Sequence, residues 1–438
     1  MKDQENTVQT SLQGIANKAA MQKGYRFRNL YGMLNEELLL DAWRNIRKDA
    51  ANGVDGVSAA EYEQNLVEHI HNIVENLKRK RYRAKMVRRR HIPKGEGKTR
   101  PLGIPAVEDK LLQMAVKRIL EAIYEQDFYR CSYGYRPNTG ALEAVAKLTV
   151  KLQFGKYNYV VEADIKGFFD NIDHDWLLRM LGERIDDVAF LNLIRKWLKA
   201  GILDTDGKII HPESGTPQGG IVSPVLANVY LHFGLDLWFE KRVKALCRGD
   251  AFILRYADDF ICAFRYRDEA ERFYQELPKR LNKFNLEVAP EKTEMRRFSR
   301  FHPSMKRRIS FLGFETYWMR DSSGAVKVKQ RTARKKLQSA CRRIKEWIKD
   351  NRHLKGRSFI EALNRRLRGH YNYYNIPGNL QSIWRFYFWA VECSFKWLNR
   401  RGGKRKSFTW KPFNKAIDLL GIAKPKMQIV NREHRVFA

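Results

Sequence analysis

The apolar positions of this chain change period several times, and each change marks an expected element. Leu30, Leu34, Leu38 and Ala42 fall four apart, and Leu66, Ile70, Ile73 and Leu77 repeat at helical spacing around the glycine-bearing turn Asn52-Gly53-Val54-Asp55-Gly56, so residues 1–85 read as mostly helical. After Lys78-Arg79-Lys80-Arg81 the pieces become short and β-like: Met86 to Ile92, the turn Pro93-Lys94-Gly95-Glu96-Gly97-Lys98, then Thr99 to Pro105. That pattern predicts a basic hairpin edged with Arg88, Arg89, Arg90, Lys94, Lys98 and Arg100. A helix is expected from Val107 to Glu125 and another through Leu152. YNYVVEADI, Tyr157 to Ile165, reads as a strand ending on Asp164. Residues 176–200 read as helix, and the loop Gly215 to Pro224 opens a helix through Leu235. Phe252 to Tyr266, FILRYADDFICAFRY, is two apolar, β-prone runs meeting at Tyr256-Ala257-Asp258-Asp259. Asp268 to Asn285 is again helical, and Ala289 to Thr293 and Phe311 to Phe314 lie on short strands or turns.

Beyond residue 326 the pattern becomes one of basic helices. Ala333, Leu337, Ala340, Ile344 and Trp347 form an apolar stripe opposite Arg334, Lys335, Lys336, Arg342, Arg343 and Lys345. Ser358 and Glu361 have capping-box spacing at the start of a second helix, with Ile360, Leu363, Leu367, Tyr371 and Tyr374 on one side and Arg365, Arg366, Arg368 and His370 around it. Pro377-Gly378 stops it. A third helix, Leu380 to Trp397, carries seven aromatics that serve mainly as bundle core.

Composition narrows the class. A chain of 438 residues has room for about two or three domains with real cores, and 44% hydrophobic with 12% aromatic residues argue against a disordered chain. No apolar run reaches membrane-spanning length, and MKDQENTVQTSLQG has neither signal-peptide nor transit character, so a cytoplasmic protein with no membrane partner is expected. Cys131, Cys247, Cys262, Cys341 and Cys393 are scattered without ligand spacing and read as buried apolar residues in a reducing compartment. The net charge of +34 is unevenly placed: from residue 301 onward 33 Lys and Arg face 8 Asp and Glu. The C-terminal third is therefore the expected nucleic-acid-binding part, although charge alone specifies no chemistry.

The candidate chemistry sits at Asp258 and Asp259. Adjacent carboxylates at a hairpin tip are costly to desolvate unless a cation sits between them, which points to a divalent metal; the bland alternative is a solvated acidic turn. Asp164 joins them only if its strand neighbours theirs in one sheet. Two adjacent glycines beside Gln218 let backbone approach a ligand closely.

IPKGEGKTRPLGIP (92–105), SYGYRP (132–137), DIKGFFDNIDH (164–174), GTPQGGIVSP (215–224), RYADDF (255–260), PEKT (290–293) and FLGF (311–314) occur in one order, and the chain resembles the reverse transcriptases encoded by bacterial group II introns. LNRRLRGHYNYYNIPGN (363–379) and KWLNRR (396–401) are similar to the maturase domain of that family, domain X, which doubles as the polymerase thumb. Diversity-generating relatives typically show a QGSxxSP-type loop and viral RNA polymerases GDD. After Pro412 there are no Cys pairs and no HNH-like arrangement, so the expected form lacks the DNA-endonuclease domain.

The resemblance implies an α+β fold: right-hand fingers and palm, with an antiparallel palm sheet, followed by a helical thumb. The expected divisions are residues 1–85 as a helical extension, 86–325 as fingers and palm, 326–413 as thumb and domain X, and 414–438 as a basic tail. It implies an RNA-directed DNA polymerase using two Mg²⁺ ions ~4 Å apart, with Mn²⁺ as a substitute. Asp164 and Asp258 would bridge the ions, Asp259 would be an auxiliary ligand, and the Ile165 carbonyl would complete one shell. Phe169 would exclude ribonucleotides, Lys94 and Arg100 would hold the triphosphate, Gln218 would lie near the templating pair, and Lys292 near nucleotide or primer. Asp170, Asp173 and Asp175 read as caps or solvated turn residues. The implied partners are intron RNA, RNA template, DNA primer or target and dNTPs, with a homodimer left open, in the bacterial cytoplasm or nucleoid. Arg334, Lys335, Arg342, Arg343, Arg365, Arg366, Arg368 and His370 are the RNA-contact candidates. The competing reading is a splicing cofactor with vestigial polymerase chemistry.

Overall fold

The computed structural model describes residues 2–95, 98–400 and 407–426. It is an α+β molecule with largely antiparallel sheets. A five-stranded sheet runs in the order Ala251–Tyr256, Asp259–Phe264, Tyr159–Lys166, Glu287–Val288, with Glu294–Arg297 also paired to Tyr159–Lys166. The first two strands are buried along nearly their whole length, as expected where both faces of a sheet are covered.

Two compact units emerge, one of residues 1–140, 163–262 and 268–294, the other of 141–162, 263–267 and 295–438. In the first unit Val107–Tyr124 is the central helix, packed against Lys2–Met21, Glu36–Arg44 and Ser223–Leu231. Leu111, Leu112, Ala115, Val116 and Ile119 are fully enclosed there, the pattern of a helix apolar on most of its circumference. The basic hairpin pairs Val87–Gly95 with Lys98–Ile104, setting Arg88 opposite Ile104 and Ile92 opposite Arg100, and Ile202–Leu203 and Ile209–Ile210 extend it to four strands.

The second unit sets the helix Ala141–Phe154 with a three-stranded meander, Ile309–Phe311, Phe314–Arg320 and Val326–Thr332. Four helices follow, Arg334–Asp350, Gly356–Tyr374, Leu380–Leu398 and Trp410–Leu419, around Ile344, Ile348, Phe359, Leu363, Ile383, Phe386 and Phe413. Buried Asn379 ties meander to bundle: its amide donates to Thr332 Oγ1 at 2.8 Å and its carbonyl accepts from the Thr332 N–H at 2.7 Å.

Several expectations move. Leu30 and Leu34 are buried, but they precede the helix, which starts at Glu36 where Asn35 accepts from the Leu38 N–H. Residues 176–200 form two helices, His174–Gly182 and Val188–Leu198, capped by Asp173 and Asp187. The region after 326 opens with a strand, not a helix. Ser358 is not the cap: its helix begins at Gly356, with the Lys355 carbonyl accepting from the Phe359 N–H, and a capping box is formed instead by Ser58 with Glu61.

Candidate active site

The hairpin tip is held in a conformation that its own sequence does not favour. Ala257 takes φ +56°, a left-handed position that a side chain makes costly, so surrounding contacts must fix it. Arg255 supplies one and ties it to the surrounding elements. Its guanidinium donates to the Ala257 carbonyl at 2.9 Å, to Asn228 Oδ1 at 3.1 Å, to Ser132 Oγ at 2.7 Å, and to both carboxylate oxygens of Asp236 at 2.8 and 2.6 Å. Both side chains of the Arg255–Asp236 pair are fully buried. Burial works against the charge on Arg255, and Asp236 more than offsets it, so the guanidinium is held above its ordinary pKa. SYGYRP braces the other side of the tip: the Tyr133 N–H donates to the Arg255 carbonyl at 2.8 Å, and a Cβ on Gly134 would lie 2.7 Å from the Ala257 nitrogen.

Asp164 lies on the strand next to Asp259–Phe264, and its main-chain carbonyl accepts from Ala289. Lys292 Nζ contacts Asp164 Oδ2, and that contact raises the lysine above its usual pKa. Burial first, and the charge of Asp164 after it, push the Asp258 carboxyl upward. Among the described residues no group of three or more His, Cys, Asp or Glu is arranged as a ready-made metal site. The donor set still suits a hard cation: the charge of Asp164 adds to the cost of ionising Asp258, and an ammonium already sits on Asp164.

The other motifs dock on this centre backbone to backbone. The Thr216 N–H donates to the Phe169 carbonyl at 2.8 Å and the Gly215 N–H to the Ile172 carbonyl at 2.7 Å. A Cβ on Gly215 would meet the Asp170 carbonyl at 2.8 Å, which explains a glycine there. Gly103 donates to the Gln218 carbonyl at 2.7 Å, seating the GTPQGG loop on the basic hairpin. A pocket of about 400 Å³ opens between Arg89, Pro101, Asp170, Thr216 and Gln218. The Phe169 ring is half-buried, edge-on to Tyr135 and Phe168. Arg100 is exposed on the hairpin, Ile165 is buried opposite Val288, and the Lys94 side chain lies outside the described residues. Asp173 caps its helix by accepting from the Trp176 N–H, and Asp175 is solvent-exposed in that helix's first turn.

The family described as reverse transcriptase (RNA-dependent DNA polymerase) matches residues 92–316, the span that holds every one of these motifs. The group II intron-encoded protein LtrA of Lactococcus lactis subsp. cremoris is 31% identical over 84% of this chain and 74% of its own length. The chain belongs to the group II intron-encoded reverse transcriptases. Protein YkfC of Escherichia coli K12 is 34% identical over 54% of this chain and 64% of its own, and nuclear intron maturase 3 of Arabidopsis thaliana is 26% identical over 48% and 31%.

In the second unit of this reverse transcriptase Arg334, Lys335, Arg342, Arg343, Arg365, Arg366 and Arg368 are all exposed. His370 is different. It stacks on Phe386 with centroids 3.9 Å apart, and burial with the nearby Arg343 lowers its pKa to about 4, so it carries no charge for a phosphate at neutral pH. Of the third-helix aromatics Phe386 and Tyr387 are core, while Phe388 and Trp389 are exposed. Sequence reasoning missed Arg255 and Asp236. The available signal was a charged residue inside each of two largely apolar stretches, FILRY and LHFGLDLWF. No described helix is long and apolar enough to cross a membrane.

Proposed function

We propose that this reverse transcriptase extends a primer 3′-hydroxyl on an RNA template by a two-metal nucleotidyl transfer, and that it also binds its intron RNA as a maturase that assists splicing and retrohoming. The observation that carries the reading is the adjacency of the Asp164 strand to the Asp258–Asp259 hairpin, with a lysine cation resting on Asp164. Asp164 and Asp258 would hold a pair of Mg²⁺ ions, with Asp259 and the Ile165 carbonyl as auxiliary ligands. Bound Mg²⁺ would favour the in-line displacement by activating the primer hydroxyl and neutralising the departing pyrophosphate.

This chain's residues do the rest. Lys292 neutralises Asp164 until cations and nucleotide arrive. Arg100, with Lys94, offers positive charge to a dNTP triphosphate. Gln218 orients the templating pair beside the pocket that it lines, and Phe169 stands where a ribose 2′-hydroxyl would be crowded. The Arg255–Asp236 pair keeps the hairpin tip in place without touching substrate. The basic second-unit helices supply phosphate contacts to structured RNA.

The test is incorporation of dTTP on poly(rA)/oligo(dT) with Mg²⁺. The unmutated protein is expected to extend the primer, and Asp258→Ala to lose at least about a thousandfold in rate, the order associated with removing a charge-stabilising group from a transition state. No incorporation by the unmutated protein would leave only a splicing cofactor.

A further inference from the structure

The helix Gly356–Tyr374 contains a glycine that the fold does not use. Gly369 sits in the helix interior, where glycine is less stable than alanine, and among the described residues a Cβ there would meet nothing within 4 Å beyond its own helix backbone. Among the described residues no turn and no close packing accounts for it. Gly369 instead lines a pocket of about 420 Å³, shared with Arg343 and Ile344 of the preceding helix, with Arg366, His370, Tyr373 and Tyr374 of its own, and with Phe386 of the next. That volume lies within the range of small-molecule sites.

The lining is cationic and aromatic. Among the described residues neither Arg343 nor Arg366 meets a carboxylate: Arg343 donates to Ser339 Oγ at 3.0 Å, and Arg366 lies over the Trp347 ring at 4.0 Å and donates to the Ala362 carbonyl. Tyr373 is held by its hydroxyl, which donates to the Leu312 carbonyl at 2.9 Å, and His370 Nε2 is buried with no hydrogen-bond partner among the described residues. Guanidiniums with no acid partner beside rings held in place suit a phosphate joined to a planar base. Arg342, Arg365 and Arg368 are exposed on the same two helices, where flanking phosphates of a polymer would find them, so a nucleotide within RNA fits better than a free one.

We propose that this pocket takes one unpaired ribonucleotide of a bound RNA, the base entering the gap left by Gly369 among the aromatic rings and the phosphate resting on Arg343 and Arg366. The inference rests on the reading that these helices bind RNA, and it adds to charge attraction a means of selecting RNA with an extruded base.

Fluorescence anisotropy with two RNA hairpins tests it, one fully paired and one carrying a single-nucleotide bulge, each titrated with the full chain and with Gly369→Leu, and with ATP as competitor. Leucine is a better helix former with open space ahead of its Cβ, so thermal melting is expected to give an unchanged or higher midpoint, which separates loss of binding from loss of fold. The unmutated protein is expected to prefer the bulged hairpin by about tenfold, the worth of one stacked base, and the variant to lose that preference while holding the paired hairpin within about twofold. A preference that survives Gly369→Leu, or no preference in the unmutated protein, overturns the proposal. Displacement of the bulged hairpin by ATP at comparable concentration assigns the pocket to a free nucleotide and overturns it as well. Failure of the unmutated protein to bind either hairpin overturns the RNA-binding reading itself, a different result from equal binding to both.

Discussion

Arg255 and Asp236 are both sealed from solvent, so neither can lose its partner without leaving a charge or a donor fork unmet inside the protein. Asp236→Asn is expected to cost about 3–5 kcal/mol in urea unfolding and to reduce primer extension further than that loss explains, because Ala257 then loses its anchor. Extension at wild-type rate in a folded variant would remove Arg255 from the account. Phe169 allows a subtler reading. Phe169→Ala is expected to raise the use of rATP relative to dATP by at least about tenfold in kcat/KM, with the fold intact. Asp109 carries a pH signature. It is buried at the start of the central helix, contacts the Tyr82 hydroxyl and accepts from the Lys85 N–H at 3.0 Å, and burial lifts its pKa to about 7. A carboxyl with a folded pKa above its unfolded value of about 3.9 favours the fold at low pH, and that contribution is lost as pH rises from about 4 through 7. The stability of the unmutated protein minus that of Asp109→Asn, followed by urea unfolding, is therefore expected to fall across that window. A flat difference would contradict the assignment.

At the scale of elements, the motifs act by docking on one another. Gly134 shows this most simply: its φ is +40°, and an added Cβ would press on the Ala257 nitrogen. Gly134→Ala is expected to cost about 1–3 kcal/mol and to impair nucleotide addition more than template binding, as a kcat effect with KM nearly unchanged. Much of this layer was legible in the sequence. The strand bearing Asp164, which runs on to Lys166 rather than ending at the aspartate, and the hairpin around Tyr256–Asp259 follow from apolar runs bounded by turn residues, a signal that tertiary context reinforces. Other parts were masked by competing cues. Val326, Val328 and Gln330 alternate with lysines and form the strand Val326–Thr332, yet the density of charge reads as the start of a basic helix. Ser358 and Glu361 have the right spacing for a cap, but the helix runs back to Gly356. His370 reads as one more basic residue until its stacking on Phe386 is seen. A buried ion pair between segments nineteen residues apart, Asp236 and Arg255, cannot be paired from pattern alone.

For the molecule as a whole, the uneven charge sets the behaviour toward RNA. With 33 basic against 8 acidic residues after position 300, RNA affinity is expected to fall linearly with salt on logarithmic axes. Removing Arg365 and Arg368 together should lower that slope by roughly 1.5 and weaken splicing, while oligo(dT) extension survives better. Equal loss of both activities would collapse the separation between polymerase and maturase surfaces. The central claim, that the strand carrying Asp164 and the hairpin tip carrying Asp258 converge on shared divalent ions, is reached most directly by electron paramagnetic resonance of Mn²⁺ bound to the protein with a chain-terminated primer on RNA template and the next dNTP. Two tightly bound, mutually coupled ions are predicted, with the coupled pair lost in Asp164→Ala and in Asp258→Ala. Ions that bind equally well to both variants, or no coupled pair in the unmutated protein, would contradict it.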